Sequence, residues 1–303
     1  MFDIQCHPEV ARALGQGRPV VALESTLLAH GLPRPDNLVT GRELEAVVRR
    51  HGAVPATIAV LDGAAHVGLT DDQLQRICSD PELVKLTLRD IPVAVGLGRS
   101  GATTVASTAA LAQAAGISVF ATGGLGGVHR GARDSFDESA DLTALARTRI
   151  VVVCAGVKSI LDVPATLERL ESLSVPVIGY RTQAFPGFYV TESGSCLDWR
   201  CETPKEVARI FAAAEGFCPA ALIVANPLPV ERQLEPDLHD TVLRDALAAA
   251  TEAGVSGSQV TPYVLDRLHT ASDGQTLLVN VDLVLRNAAL AAEIAVQLSD
   301  LVH

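Results

Sequence analysis

The sequence predicts an α/β layered fold formed by one domain across its 303 residues. Three observations carry this expectation. Short apolar runs alternate with amphipathic stretches along most of the chain, the pattern of strands and helices laid down in turn. The apolar runs are continuous rather than interleaved with polar residues, as suits strands covered on both faces. No low-complexity linker or internal repeat divides the chain, and 48% hydrophobic residues supply ample core.

The predicted strands, in order, are residues 19–23, 56–61, 92–97, 117–122, 150–154, 176–180 and 221–225, all rich in Val, Ile or Ala. The predicted helices cover residues 36–50, a segment opening at Thr70, and residues 103–115, 139–147, 158–173, 204–215 and 236–253. Pro33 and Pro35 precede the first helix, and Thr70-x-x-Gln73 has the spacing of a capping box. Residues 276–301 are apolar all round but broken by Asn280, Asp282, Arg286, Asn287 and Glu293. That pattern suits a helix buried in the core or at a subunit interface rather than a membrane span. Residues 185–204 read as a loop excursion from the domain.

Composition narrows the partners. The net charge of -11 repels nucleic-acid backbones and anionic membranes, and 4% aromatics is too few for a base-stacking surface. A phosphorylated small molecule can still bind in a locally positive pocket. The first residues lack a basic segment followed by an apolar run, so no signal peptide is expected. Six scattered cysteines without a C-x-x-C pair support neither a zinc knuckle nor a disulfide framework, which makes the cytoplasm the simplest compartment.

Of the 24 Lys and Arg residues only Lys85, Lys158 and Lys205 are lysine. Arg cannot act as an amine nucleophile, whereas a desolvated Lys can lose its proton and attack a carbonyl. Lys158 follows the run Ile150-Val151-Val152-Val153-Cys154-Ala155-Gly156, where a buried strand delivers it to a sheet end. A carbinolamine or Schiff-base mechanism is the first expectation. Lys85 also sits in an apolar context, and a second cation nearby would depress an amine pKa. Lys205, at a helix start beside Glu206, reads as solvated.

Four further groups stand out. Glu24 ends a strand, where a carboxyl can serve as an acid or simply pair with an Arg or cap a helix. The cluster Thr122-Gly123-Gly124-Leu125-Gly126-Gly127-Val128-His129-Arg130-Gly131, in which His129 and Arg130 add charged donors, suits an anion-binding turn or a mobile glycine-rich loop. The turn 96–105 also joins a strand to a helix, and Thr103, Thr104 and the first helical amides suit a phosphate or ordinary capping. Asp134, Asp137, Glu138 and Asp141, close after His129, suit a divalent cation or a helix start capped by Ser139 or Asp137.

Together the segments A-L-E-S-T-L-L-A-H-G-L-P, G-A-V-P-A-T-I-A, A-T-G-G-L-G-G-V-H-R-G-A, F-D-E-S-A-D-L, V-V-C-A-G-V-K-S-I-L-D, V-P-V-I-G-Y and V-A-N-P-L-P resemble the pseudouridine-5′-phosphate glycosidase family, which also contains indigoidine-cluster proteins. The resemblance runs nearly the whole chain, in the family's order. It implies a three-layer α/β/α fold with a mostly parallel or mixed central sheet, a homotrimer, one Mn²⁺ per subunit and a cytoplasmic location. It implies an enzyme that interconverts pseudouridine 5′-phosphate and water with uracil and ribose 5-phosphate. The family's nucleophile falls on Lys158 and its acid on Glu24. Substrate contacts fall on Lys85, Thr104 and Val105, His129, Ser139, Ala140 and Asp141, with Asn280 on the base, and the metal aspartate is Asp137. Glu138 stands where the family more often has Ile, Arg99 where Lys is common, and residues 193–201 have no clear match. Two rival expectations are a Schiff-base lyase acting on another sugar phosphate or C-nucleotide, and a non-enzymatic sugar-phosphate-binding protein.

Overall fold

The computed structural model describes residues 3–255 and 260–302. The described strands are β1 (Ile4–Cys6), β2 (Val20–Leu23), β3 (Val54–Leu61), β4 (Ala64–Val67), β5 (Val84–Leu86), β6 (Gly101–Thr103), β7 (Val119–Ala121), β8 (Val151–Cys154), β9 (Val177–Tyr180), β10 (Arg200–Cys201) and β11 (Leu222–Ala225). Seven of them form a parallel run in the order β3-β2-β7-β8-β11-β9-β10. At one edge the sheet turns mixed, because β4 and β6 pair antiparallel with β3 while β1 joins β4 and β5 joins β6.

Helices cover both faces. The helices Asp36–Arg50, Pro204–Ala213 and Gln275–Val302 pack together on one side, the last lying across β2, β7 and β8. On the other side Val105–Ala114 packs against β2 and β3 and against the helix Ala140–Leu145. This layering is why β2, β3, β8 and β11 are buried along their whole length and carry no polar alternation. No helix among the described residues is long and apolar enough to cross a membrane.

Six of the seven expected strands form, and the capping box at Thr70 is made in both directions, with Gln73 N–H on Thr70 Oγ1 at 3.3 Å and Thr70 N–H on Gln73 Oε1 at 2.9 Å. Three expectations need correction. Residues 92–97 are not a strand but most of the helix Ile91–Gly96, with Pro92 in its first turn, where a missing N–H costs nothing. The turn 96–105 therefore leads from a helix into β6, not from a strand into a helix. The helix expected at 158–173 begins at Val163, because Asp162 accepts the Ala165 N–H at 3.0 Å and Pro164 fixes the first turn. Lys158 is left in a turn, its N–H on Leu125 O at 3.1 Å and its carbonyl accepting from Leu161 at 3.0 Å.

The chain passes from β2 outward to β3 in one direction and from β7 to β8 in the other. The connection order thus reverses between β2 and β7, and a crevice opens beyond the carboxyl ends of strands at such a point. The registers Leu23↔Ala121, Ala121↔Val153 and Cys154↔Ala225 align those ends. The next residues, Glu24, Thr122, Ala155 and Asn226, share one edge.

Candidate active site

Glu24 leaves β2 into this crevice and is 9% exposed. The Thr122 hydroxyl, leaving β7, donates to Glu24 Oε1. Burial pushes the Glu24 carboxyl above the usual carboxylate range; the Lys158 charge and the Thr122 hydrogen bond oppose it, Asp141 reinforces it and Lys85 opposes it again. A carboxyl so placed holds its proton to higher pH than a solvated one and can donate it. The capping and Arg-pairing alternatives for Glu24 do not match these partners.

Lys85 projects from β5, which the parallel pairing with β6 carries to the same edge. Desolvation first and the Lys158 charge second lower its amine pKa, against the pull of Asp141 and Glu24. Lys85 keeps exposed surface, so water tempers this effect. His129 lies beyond the glycine segment. Desolvation lowers its pKa, Asp137 opposes, and Lys85 and Lys158 add to the lowering. The charges of Lys85 and Lys158 reach both Glu24 and His129, so the four side chains form one electrostatic cluster.

The glycine segment is packed into the protein. Residues 122–128 are buried, and much of their hydrogen bonding is internal. Leu125 N–H donates to Gly156 O at 2.9 Å, Gly126 N–H to Asp141 Oδ2 at 2.8 Å and Val128 N–H to Thr166 Oγ1 at 2.9 Å. Glycine is demanded by contact: a Cβ on Gly124 would stand 2.6 Å from the Phe188 ring, and one on Gly126 2.6 Å from Asp141 Oδ2. Phe188 belongs to the excursion at 185–204, which proves to be a site wall, its N–H on Ala155 O at 3.1 Å.

Thr104 and Val105 are buried at the start of the helix Val105–Ala114. Thr103 is not available to a phosphate. Its hydroxyl donates to Ile58 O at 2.7 Å and accepts from Thr108 at 2.9 Å, inside a network with Ser25. One helix-start amide, Ala106 N–H, is taken by Asp141 Oδ1 at 2.9 Å.

The acidic group does not converge. Glu138 pairs with Arg169 at 2.8 Å, Asp134 is an exposed neighbour of Arg133, and Asp141 is buried on two backbone amides. Ser139 caps the helix Ala140–Leu145, accepting the Asp141 N–H at 3.2 Å, and Ala140 is exposed at its first position. Asp137 alone faces His129, Oδ2 to Nδ1 3.9 Å. No three His, Cys, Asp or Glu side chains gather as metal ligands among the described residues. An all-protein cage therefore does not fit, but a hard divalent ion bound by one carboxylate, waters and a substrate phosphate does.

Two residues not singled out for chemistry prove structural to the site. Thr122 sat within a quoted motif, and its place after a strand aligned with Glu24 is a signal only once the strand order is known. Asn287 was read only as a polar interruption of the last helix. It is fully buried, donates to Thr122 O at 2.8 Å and accepts from Asn226 Nδ2 at 2.9 Å. Asn287→Ala leaves both partners unpaired and is expected to lower stability by about 2–4 kcal/mol, measured by urea unfolding.

The chain is similar to known proteins along nearly its full length. A pseudouridine-5′-phosphate glycosidase from Salinispora tropica is 57% identical over 97% of this chain and 92% of its own, and one from Streptomyces griseus 58% identical over 96% and 91%. The crystal structure of the prealnumycin C-glycosynthase AlnA in complex with ribulose 5-phosphate superposes with a TM-score of 0.91 at 37% identity, covering 98% of this chain and 97% of that one. An indigoidine synthase A-like protein from Thermotoga maritima gives 0.89 at 36% identity, with the same coverage. The three-layer arrangement and the mostly parallel sheet are thus shared with solved relatives. Since residues 9–297 match the indigoidine synthase A like protein family, this chain belongs to that family.

Proposed function

We propose that this chain reversibly cleaves the C–C glycosidic bond of pseudouridine 5′-phosphate with water, yielding uracil and ribose 5-phosphate. The observation that carries the reading is a buried, proton-retaining Glu24 within electrostatic reach of Lys158 at the reversal of strand order. Relatives 57% and 58% identical bear the name of that activity.

A carbon leaving group needs an electron sink. Glu24 gives its proton to the ribose ring oxygen, and the C1′–O4′ bond breaks as electrons move from uracil N1 through its ring. The unprotonated Lys158 amine adds at C1′, and Glu24 takes back the proton that nitrogen sheds. The C1′–C5 bond then breaks as the nitrogen lone pair forms C1′=N, while Glu24 delivers its proton to uracil C5. Water hydrolyses the imine, frees ribose 5-phosphate and restores the amine. Lys85 and His129 hold the phosphate with Ser139 and the helix start at Thr104 and Val105, Asp141 fixes that helix start against Gly126, and Asn280 contacts the base.

Asp137 would hold a Mn²⁺ ion, which when bound supplies positive charge beside the phosphate. A homotrimer and a cytoplasmic location complete the reading, both carried from the family resemblance. Release of uracil from pseudouridine 5′-phosphate, followed chromatographically, tests the activity. No uracil, with turnover of a different sugar phosphate instead, would favour the lyase alternative. Asp137→Asn is expected to weaken Mn²⁺ binding, read by paramagnetic resonance, by about tenfold or more.

A further inference from the structure

We propose that His269 reads the one base edge that distinguishes pseudouridine from uridine; this rests on the substrate proposed above and extends it to a residue outside the motifs that carry the family resemblance. A cavity of about 250 Å³ opens at the carboxyl side of the sheet, with His30, Tyr189, Asp266, His269 and Asn280 in its lining. It adjoins the catalytic cluster by two routes. His30 lies in the π-helical turn Leu27–Gly31, just after Glu24, and Lys85 is close enough to act on its charge. Asn280 forms the inner wall, its Oδ1 lying 3.6 Å from where a Cβ on Gly123 would stand, next to Thr122.

Two of the lining residues each hold an enclosed side-chain atom with no hydrogen-bond partner among the described residues: Asn280 its Oδ1 and His269 its Nδ1. Buried polar atoms are satisfied in nearly all folded proteins, so two on residues lining one cavity point to a ligand that satisfies them. Asn280 Oδ1 is an acceptor, and so is His269 Nδ1 when the ring proton sits on Nε2. Asp266 adds acceptor oxygens, and no Lys or Arg is in the lining. The lining is acceptor-rich and suits a planar ring rich in N–H donors.

Superposing the two nucleotides by their sugar bonds lays C5 of pseudouridine on N1 of uridine. Around the ring both then present a carbonyl, the N3–H and a second carbonyl in the same places. The next position is N1–H in pseudouridine and C5–H in uridine, and nothing else differs. The N3–H and N1–H flank the carbonyl farthest from the sugar, so acceptors on two sides of the cavity can take one each. An acceptor for N3–H serves both bases. An acceptor opposite it serves only pseudouridine, and a uridine ring there leaves it unpaired and buried. Asn280 has the first role by its place beside the catalytic strand ends, and His269 has the second.

The test uses Lys158→Ala, in which turnover is stopped and equilibrium binding can be read by calorimetry. Pseudouridine 5′-phosphate should bind about tenfold or more tightly than uridine 5′-phosphate, the size of one buried hydrogen bond. Adding His269→Leu should bring pseudouridine 5′-phosphate to the uridine level and leave uridine 5′-phosphate unchanged. Adding His269→Asn instead, which returns an acceptor oxygen near the Nδ1 position, should recover much of the preference. N1-methylpseudouridine 5′-phosphate, which lacks only that N–H, should bind Lys158→Ala itself about tenfold more weakly than its parent, a readout that needs no change at His269. An unchanged preference in His269→Leu, equal weakening of both nucleotides, or undiminished binding of the methylated base overturns the inference. Failure of the wild-type chain to release uracil from pseudouridine 5′-phosphate would instead sink the substrate reading itself.

Discussion

Lys158→Ala should lower uracil release by at least about 10⁴-fold, because the covalent route has no other amine to use. Lys205 stands exposed at the start of the helix Pro204–Ala213, away from the crevice. Lys85 shares the cluster, but its strand position sets it at the phosphate end of the proposed pose. The substitution should leave the fold intact, since the turn is held by backbone bonds from Lys158 to Leu125 and Leu161 that alanine keeps. Borohydride added with ribose 5-phosphate should attach one sugar-phosphate mass at Lys158 in the wild-type chain and none in the variant. Lys158→Arg should be as inactive as alanine, because it retains a cation and loses the nucleophile. Wild-type turnover in either variant, or a label found only on Lys85, would end the imine mechanism.

Glu24→Gln is the second large effect, a fall in kcat of about 10²–10⁴ with nucleotide binding kept. The amide still accepts the Thr122 hydroxyl but has no proton to lend. The pH profile should follow the raised carboxyl pKa: the acid form is present below its folded value and is lost as pH rises through it. The wild-type profile should therefore fall on the alkaline side of that value, and this fall should vanish from the residual rate of Glu24→Gln. Stability follows the same sign. With the folded value above the unfolded one, the contribution of Glu24 is complete below the unfolded value and is lost as pH rises through the folded one. Thermal unfolding should show the glutamine variant gaining on the wild type as pH increases. A constant difference in Tm would mean that Glu24 is not held protonated.

How much of this could be read from residues alone depends on the range of the interaction. Strands β2, β3, β7, β8, β9 and β11 announce themselves because burial on both faces leaves unbroken apolar runs. Residues 92–97 carry the same composition, and only Pro92 hints at a helix. The strands β5 and β6, three residues each, are too short for any periodicity, yet β5 is the one that brings Lys85 to the site. Glu24 and Lys158 were legible because Glu24 directly follows a strand and Lys158 follows the apolar run that contains one. The acidic group was misleading: four carboxylates near His129 in sequence are separated by a helix cap, an Arg partner and two backbone amides. The roles of Thr122 and Asn287 were invisible because they rest on pairings between segments 98 and 165 residues apart.

That separation has a consequence for the timing of biosynthesis. The helix Gln275–Val302 leaves the ribosome after every described strand of the sheet, and Asn287 steadies the very strand end from which Thr122 reaches Glu24. A nascent chain can have β2, β7 and β8 in place and still lack the brace beside its acid. The amine proposed as nucleophile would thus stay unassisted until that helix is made, and polypeptides released before it would be inert rather than indiscriminate toward cellular sugars.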